Sequence, residues 1–120
     1  MDDSPITPGK TTIAIDVLLT IARLTTVAVN GVNRMSRLPS RNVKDMFKGI
    51  GHEDGIHIEV EDDTVYIHLY VILNQDVNIR EVGHKIQTDV SRAIIDMIGM
   101  QVGSINVHVD DIHYPVDDGN

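Results

Sequence analysis

Two runs of alternating side chains, separated by one pair of aspartates, limit what this chain can fold into more than any other feature. Residues 55–61 set Ile56, Ile58 and Val60 against His57, Glu59 and Glu61. Residues 64–73 set Val65, Ile67, Leu69, Val71 and Leu73 against Tyr66, His68, Tyr70 and Ile72. Side chains of an extended strand point alternately to opposite faces, so each run reads as a half-buried strand. Asp62-Asp63 leaves room for a two-residue turn, although it lacks the usual glycine. The register follows from that loop length: Glu61 faces Thr64, Glu59 faces Tyr66, and His57 faces His68. A slip of one residue would turn every apolar side chain into water, so the pairing is tightly specified.

Helices flank this hairpin. The β-branched run Thr11–Ile15 reads as a short strand, with Asp16 behind it as an N-cap. Val17, Leu18, Ile21, Leu24 and Ala28 then recur at helical spacing, and Asn30-Gly31 supplies a left-handed stop, which predicts a helix over roughly 16–29. Asn78 followed by Glu81 resembles a capping box. Ile79, Val82, Ile86, Val90, Ala93 and Met97 continue with helical spacing up to Gly99, predicting a helix over 79–98. A last strand at about 101–109 places Ile105, Val107 and Val109 on one face and Asn106, His108 and Asp110 on the other. With 120 residues the chain has room for one core. The expected fold class is α+β: a two-layer sandwich in the order β-α-(short basic helix)-β-β-α-β. Both long helices lie on one face of a mostly antiparallel or mixed four-stranded sheet, whose strand order stays open. Residues 1–8 read as a flexible leader, 9–112 as the domain with a basic insert at 33–51, and 113–120 as a tail.

Composition narrows the function classes. There is no Cys, which removes disulfides, thiolate metal sites and thiol catalysis. One Phe, three Tyr and no Trp leave the core to aliphatic residues and supply no base-stacking platform. The net charge of -8 is uneven: residues 1–50 hold seven Lys/Arg against four Asp/Glu, and residues 51–120 hold three against fourteen. Such polarity suits a partner surface or self-association. No apolar run approaches the ~18–20 residues of a membrane span, and Met-Asp-Asp-Ser-Pro lacks signal-peptide character. The expectation is a cytoplasmic protein whose place at the inner face of the membrane, where it has one, is borrowed from a partner.

Three groups of residues are candidates for a working surface. Arg34, Arg37, Arg41, Lys44 and Lys48 recur every three or four residues, one narrow stripe if helical. Pro39 favours a shorter helix from Arg41 to about 48, with Ser40 as its cap. The stripe is either a solvated face or a dock for an anionic partner. Glu59, Glu61, Asp62 and Asp63 crowd the hairpin tip, again either as a solvated turn or as the complement of that stripe on another copy. His57, His68, Tyr66 and Tyr70 share the polar sheet face, together with His108. Imidazoles with Glu59 or Tyr70 are donors that zinc accepts, but two histidines are too few for a closed site and no His-x-x-x-His spacing supports them. No metal, cofactor or catalytic residue is therefore expected; no nucleophile elbow or phosphate loop is present either.

Several segments together resemble the alkaline shock protein family. They are Gly9-Lys10, Ile13-Ala14-Ile15-Asp16-Val17-Leu18, Thr20-Ile21-Ala22 and Asn30-Gly31-Val32 in the first part. The second part matches through Val65–Val71, Ile79-Arg80-Glu81-Val82, Ile86-Gln87, Val90, Met97–Val102 and Ile105–Ile112. The resemblance spans most of residues 9–112. It implies a non-enzymatic scaffold or adaptor in bacterial cell-envelope stress or homeostasis, acting through protein contacts and self-association. It also implies, for some members, a membrane-anchored partner. Ile15 and Arg80 stand where relatives usually carry helix-leading prolines, and the basic insert replaces a small, Gly-rich region. The alternative reading is a small nucleic-acid-binding domain that uses the basic stripe on phosphates. A third is a metal-dependent enzyme built on His57 and His68.

Overall fold

In the computed structural model, which describes residues 8–37 and 50–116, every element is organised around one central strand. The elements are α1 (Ile15–Val27), β1 (Val32–Met35), β2 (Ile50–Glu53), β3 (Ile56–Glu61), β4 (Thr64–Asn74), α2 (Ile79–Ala93) with a π-helical last turn Ile94–Ile98, and β5 (Gln101–His113). The class is α+β, with one five-stranded, mostly antiparallel sheet. β5 runs parallel to β4 along its whole length, from Thr64↔Gln101 to Asn74↔His113. The other edge of β4 is shared end to end: β3 pairs with residues 64–69 and β1 with residues 71–73, both antiparallel. Where those two strands abut, Tyr70 N–H donates to the Gly55 carbonyl and Ser36 N–H to the Tyr70 carbonyl, both at 2.8 Å. Gly55 (φ +76°) stands in this junction, where a Cβ would lie 2.7 Å from the Ser36 and Tyr70 carbonyl oxygens.

The hairpin register agrees with the sequence pattern at every rung: Glu61↔Thr64, Glu59↔Tyr66, His57↔His68. Asp62 and Asp63 both have positive φ, 51° and 61°. That is the I′ geometry whose twist matches two antiparallel strands. Val65, Ile67, Leu69, Val71 and Leu73 are fully buried, as are Ile56 and Ile58 of β3. Leu18, Leu19 and Ala22 of α1 and Val82, Ile86, Val90 and Ile94 of the second helical segment close the same core. Both helices thus cover one face of the sheet. α2 begins as expected, with Asn78 Oδ1 accepting from Glu81 N–H at 3.0 Å, and ends at Gly99 (φ +80°).

The strand expected over Thr11–Ile15 is absent. Residues 8–14 are irregular, the α1 cap is Ala14 without a side-chain hydrogen bond, and Asp16 sits inside the first turn. Ile15 is instead the first residue of α1 and packs onto Gly51 of β2, where a Cβ would come within 2.7 Å of Ile15 Cγ1. β-branching alone does not make a strand; neighbours do. Conversely, the structure adds β1 and β2, the two ends of the insert read as basic and helical. Arg34 is therefore a strand residue, because Val32 is buried in the core and Met35 packs against it, so no single helix runs from Arg34 to Lys48. Arg41, Lys44, Lys48 and the short helix at 41–48 lie outside the described residues, as do leader residues 1–7 and tail residues 117–120. β5 is longer than expected and carries two bulges, at Gly103 and Asp110.

Two substitutions test these turns. Asp63→Gly relieves a left-handed strain that costs a non-glycine residue ~1–2 kcal/mol, against ~0.5–1 kcal/mol of added chain entropy in the unfolded state. It should raise the thermal midpoint by a few degrees. Gly55→Ala should lower it far more, since both the positive φ and the two carbonyls oppose the methyl group; a neutral Gly55→Ala would contradict the β1/β3 junction.

Candidate functional site

The period-two rule that buries one side of each strand sends the other side to the face that no helix covers among the described residues. On that face β2, β3 and β4 contribute His52, His57 and His68, and β5 contributes His108, with His113 farther along it beside Asn74. His52↔His57 and His57↔His68 are direct cross-strand partners. His108 is opposite Tyr70 and reaches diagonally to His68. The contacts are short. His52 Nδ1 and His57 Nδ1 are 3.0 Å apart, His57 Nε2 is 2.9 Å from Glu59 Oε2, and His68 Nδ1 is 2.9 Å from His108 Nε2. His57 and His68 meet edge to face at 6.1 Å between ring centres, and Tyr70 stacks on His108 at 4.4 Å and 13°. A continuous ribbon of rings thus crosses the sheet.

Of the residues singled out from sequence, His57, His68, Glu59 and Tyr70 belong to this ribbon. Tyr66, 39% exposed, lies beside it, its ring laid across the Gly103 bulge where any Cβ would collide with it. Glu61, Asp62 and Asp63 form the exposed tip at the start of β4. Arg34 and Arg37 are exposed near the other end of that strand, and Arg34 Nη1 donates to Asn33 Oδ1 at 2.8 Å. Arg34 and Arg37 are therefore separated from the acidic tip, not adjacent to it. His52 escaped the sequence reading because it lies between the basic insert at 33–51 and the strand read over 55–61. Asp54-Gly55, a strong two-residue hairpin signal between Glu53 and Ile56, would have placed it on a strand. On the helix side, Arg23 Nε donates to Glu53 Oε2 at 2.9 Å and ties α1 to β2; both side chains are partly exposed, so the pair is worth under ~1 kcal/mol.

Chemically the ribbon is a set of donors and acceptors whose roles depend on protonation. With His57 Nε2–H donating to the Glu59 carboxylate, its Nδ1 offers a lone pair toward His52. His68 has a pKa lowered from the ordinary 6.5, first by burial, then by the charges of His108 and His57, with Glu59 opposing. Among the described residues no group of three or more His, Asp or Glu is placed to hold a metal ion together. No helix among them is long and apolar enough to cross a membrane.

The lowered His68 pKa fixes the sign of one pH effect. Between its lowered folded value and the unfolded 6.5 the unfolded chain binds more protons, so the contribution to stability is full above 6.5 and is lost as pH falls through the folded value. The denaturant midpoint of the wild type should fall more steeply from about pH 7 to about pH 5 than that of His68→Gln. Parallel profiles would refute it.

Comparison with known proteins comes to the same fold from other directions. A model of the alkaline shock protein 23 family, described as having a cell envelope-related function, matches residues 4–114. The chain is 26% identical over 114 residues to YqhY of Bacillus subtilis (strain 168), covering 95% of this chain and 84% of that protein. It is 33% identical over 55 residues to YloU of the same strain, covering 46% of each. Among solved structures it is similar to MamM CTD, with a TM-score of 0.50 at 11% identity, covering 82% of this chain and 98% of that one. A zinc form of MamM CTD also gives 0.50, at 12% identity, covering 88% and 92%. At such identities the likeness is one of fold alone.

Proposed function

Since the chain belongs to the alkaline shock protein 23 family, whose function is cell envelope-related, we propose that it serves that function as a non-catalytic scaffold, through contacts with a protein partner and with copies of itself. The observation that carries this reading is the uncovered sheet face. One helix layer shields one side of the sheet only, and the other side presents Tyr66, Tyr70 and the histidine ribbon at its surface. Rings that are part apolar and part polar are what protein interfaces concentrate. A membrane-anchored protein is a suitable partner for a chain that has no spanning helix among its described residues.

Charge placement suggests how copies would meet. The acidic tip at Glu59–Asp63 and the arginines Arg34 and Arg37 stand at opposite ends of β4, whose eight-residue separation spans ~27 Å. A contact between such complementary patches closes a dimer where both engage reciprocally across a two-fold axis, and builds rings or open filaments where it repeats head-to-tail. Asp110 and Asp111 of β5 share the arginine end.

Sedimentation at low and at high salt tests the reading. Assemblies that form at low ionic strength should shrink at high salt, and both Asp62→Asn/Asp63→Asn and Arg34→Ser/Arg37→Ser should weaken them. A monomer unchanged across that range discards self-association through these patches. A parallel capture from native cells separates the partners. Retained protein that is lost with Tyr66→Ser/Tyr70→Ser supports the scaffold, whereas retained RNA that is lost with the arginine variant supports a nucleic-acid-binding domain.

A further inference from the structure

The two helices of the layer differ on the side that faces away from the sheet. α2 shows water what a surface helix is expected to show: Arg80, Glu81, His84, Lys85 and Arg92 are exposed, and Lys85 pairs with Asp89 at 3.2 Å. α1 does not. Its buried residues are Leu18, Leu19, Ala22 and Thr26, and at ~100° per residue Val17, Thr20, Leu24 and Val27 gather on the opposite side. Val17, Leu24 and Val27 are 45%, 53% and 39% exposed, and none of the four residues is charged. Their alternating steps of three and four are the spacing of a seam between two packed helices. The charged residues of α1 are Asp16 and Arg23 alone, opposite in sign and one heptad apart, so both stand on the same edge of that seam.

We propose that this seam joins two copies of the chain, α1 of one packing antiparallel on α1 of the other across a two-fold axis beside Thr20. The seam is self-complementary about that axis. Val17 stands three residues before Thr20 and Leu24 four after it, so each Val17 comes beside the other copy's Leu24. Asp16 stands four before and Arg23 three after, so each Asp16 comes beside the other copy's Arg23, which is partly exposed and tied to Glu53 of its own chain. A two-fold axis at right angles to the helices keeps the two charged edges on one side of the seam, and both ion pairs form there. A parallel pair would put those edges on opposite sides and form neither. Val27 then reaches the segment that leads into the other α1, where Ile13 is exposed. Thr20, small and uncharged at the axis, lets the helices approach to the ~8–10 Å of packed pairs. One helix pair buries less than the ~1,200 Å² of a stable complex, so this dimer is a weak one that reinforces a larger assembly. The inference rests on the self-association proposed above and assigns it a second, uncharged surface.

The chain has no cysteine, so an introduced one reports this contact without interference. Full-length Thr20→Cys should oxidise to a disulfide-linked dimer ~10-fold faster than His84→Cys on the exposed side of α2, because the axis brings its two sulfurs within bonding reach. Adding Leu24→Lys to Thr20→Cys should cut that rate ~10-fold by forcing a charge into the seam. The thermal midpoint of the dilute protein should barely move, since Leu24 is half exposed in one copy. Asp16→Lys should also slow the reaction at low salt, and less so at high salt. Adding Arg34→Ser/Arg37→Ser or Asp62→Asn/Asp63→Asn to Thr20→Cys should leave the rate unchanged, and cross-linking should persist at high salt. Loss of the charged-patch assemblies and loss of this contact are therefore read separately. Equal rates for Thr20→Cys and His84→Cys, or a rate indifferent to Leu24→Lys, overturns the dimer. So does a large drop in thermal midpoint with Leu24→Lys in dilute protein, which would mean that the seam is covered within one chain. Flotation of the chain with phosphatidylglycerol vesicles, lost with Leu24→Lys and without cross-linking, would give the seam to a lipid surface instead.

Discussion

Burial of one row of five aliphatic side chains, Val65, Ile67, Leu69, Val71 and Leu73, is the constraint on which the remainder of the molecule depends. β4 is paired along both edges, by β5 on one and by β3 and β1 on the other, and every other described strand except β2 is bonded to it directly. Its apolar row is entirely withdrawn from water, which at ~1.5–3 kcal/mol for each large aliphatic side chain far exceeds any ion pair in the structure. Each neighbouring element is positioned by that row. β3 is set by the I′ turn, β5 by the crossover through α2, and α1 by the apolar surface the sheet leaves open. The Arg23–Glu53 pair trims an arrangement that packing has already decided.

What could be read directly from the residues follows the same hierarchy. The β3–β4 register and the Asn78 cap are local statements: alternation over consecutive residues, or a side chain bonding three positions ahead. They were legible for that reason. The Thr11–Ile15 run is not a strand because no strand of the sheet pairs with it: Ile15 begins α1 and packs onto Gly51 of β2. β1 was hidden because four residues, Val32–Met35, are too few to show a period, and because Arg34 and Arg37 fit a helical spacing that the long-range pairing with β4 overrode. β2 was legible in principle, through Asp54-Gly55, and with it His52 and the complete histidine ribbon. The candidate site was thus half visible: His57, His68, Glu59 and Tyr70 from alternation, His52 only once the second hairpin is recognised.

The open face and the free edges raise different problems for a sheet of this kind. β5 offers thirteen residues of unpaired outer edge, a hazard for uncontrolled strand addition. The bulges at Gly103 and Asp110, the acids Asp110 and Asp111, and the Gln87 side chain donating to the Ile105 carbonyl at 3.0 Å all interrupt that edge. The broad face receives no such protection. It keeps Tyr66 exposed over a glycine that could not be any other residue without moving the ring, while Tyr70 is held flat against His108. Among the described residues the edge is thus interrupted and the face is left without a covering layer, which supports the face as the proposed docking surface.

That distinction bears on how a family module with a cell envelope-related function can serve different partners on one scaffold. The buried side of every strand is fixed by the β4 row, so change there is costly. The outward side carries the same strands at the same spacing with no packing obligation, and its residues can vary while the fold persists. The outward histidines of four strands are therefore a property of this chain's surface, free of the core's demands. Burial and the neighbouring His108 and His57 already disfavour protonation of His68, so a carboxylate-rich surface docked on the face would favour it and a cation would oppose it.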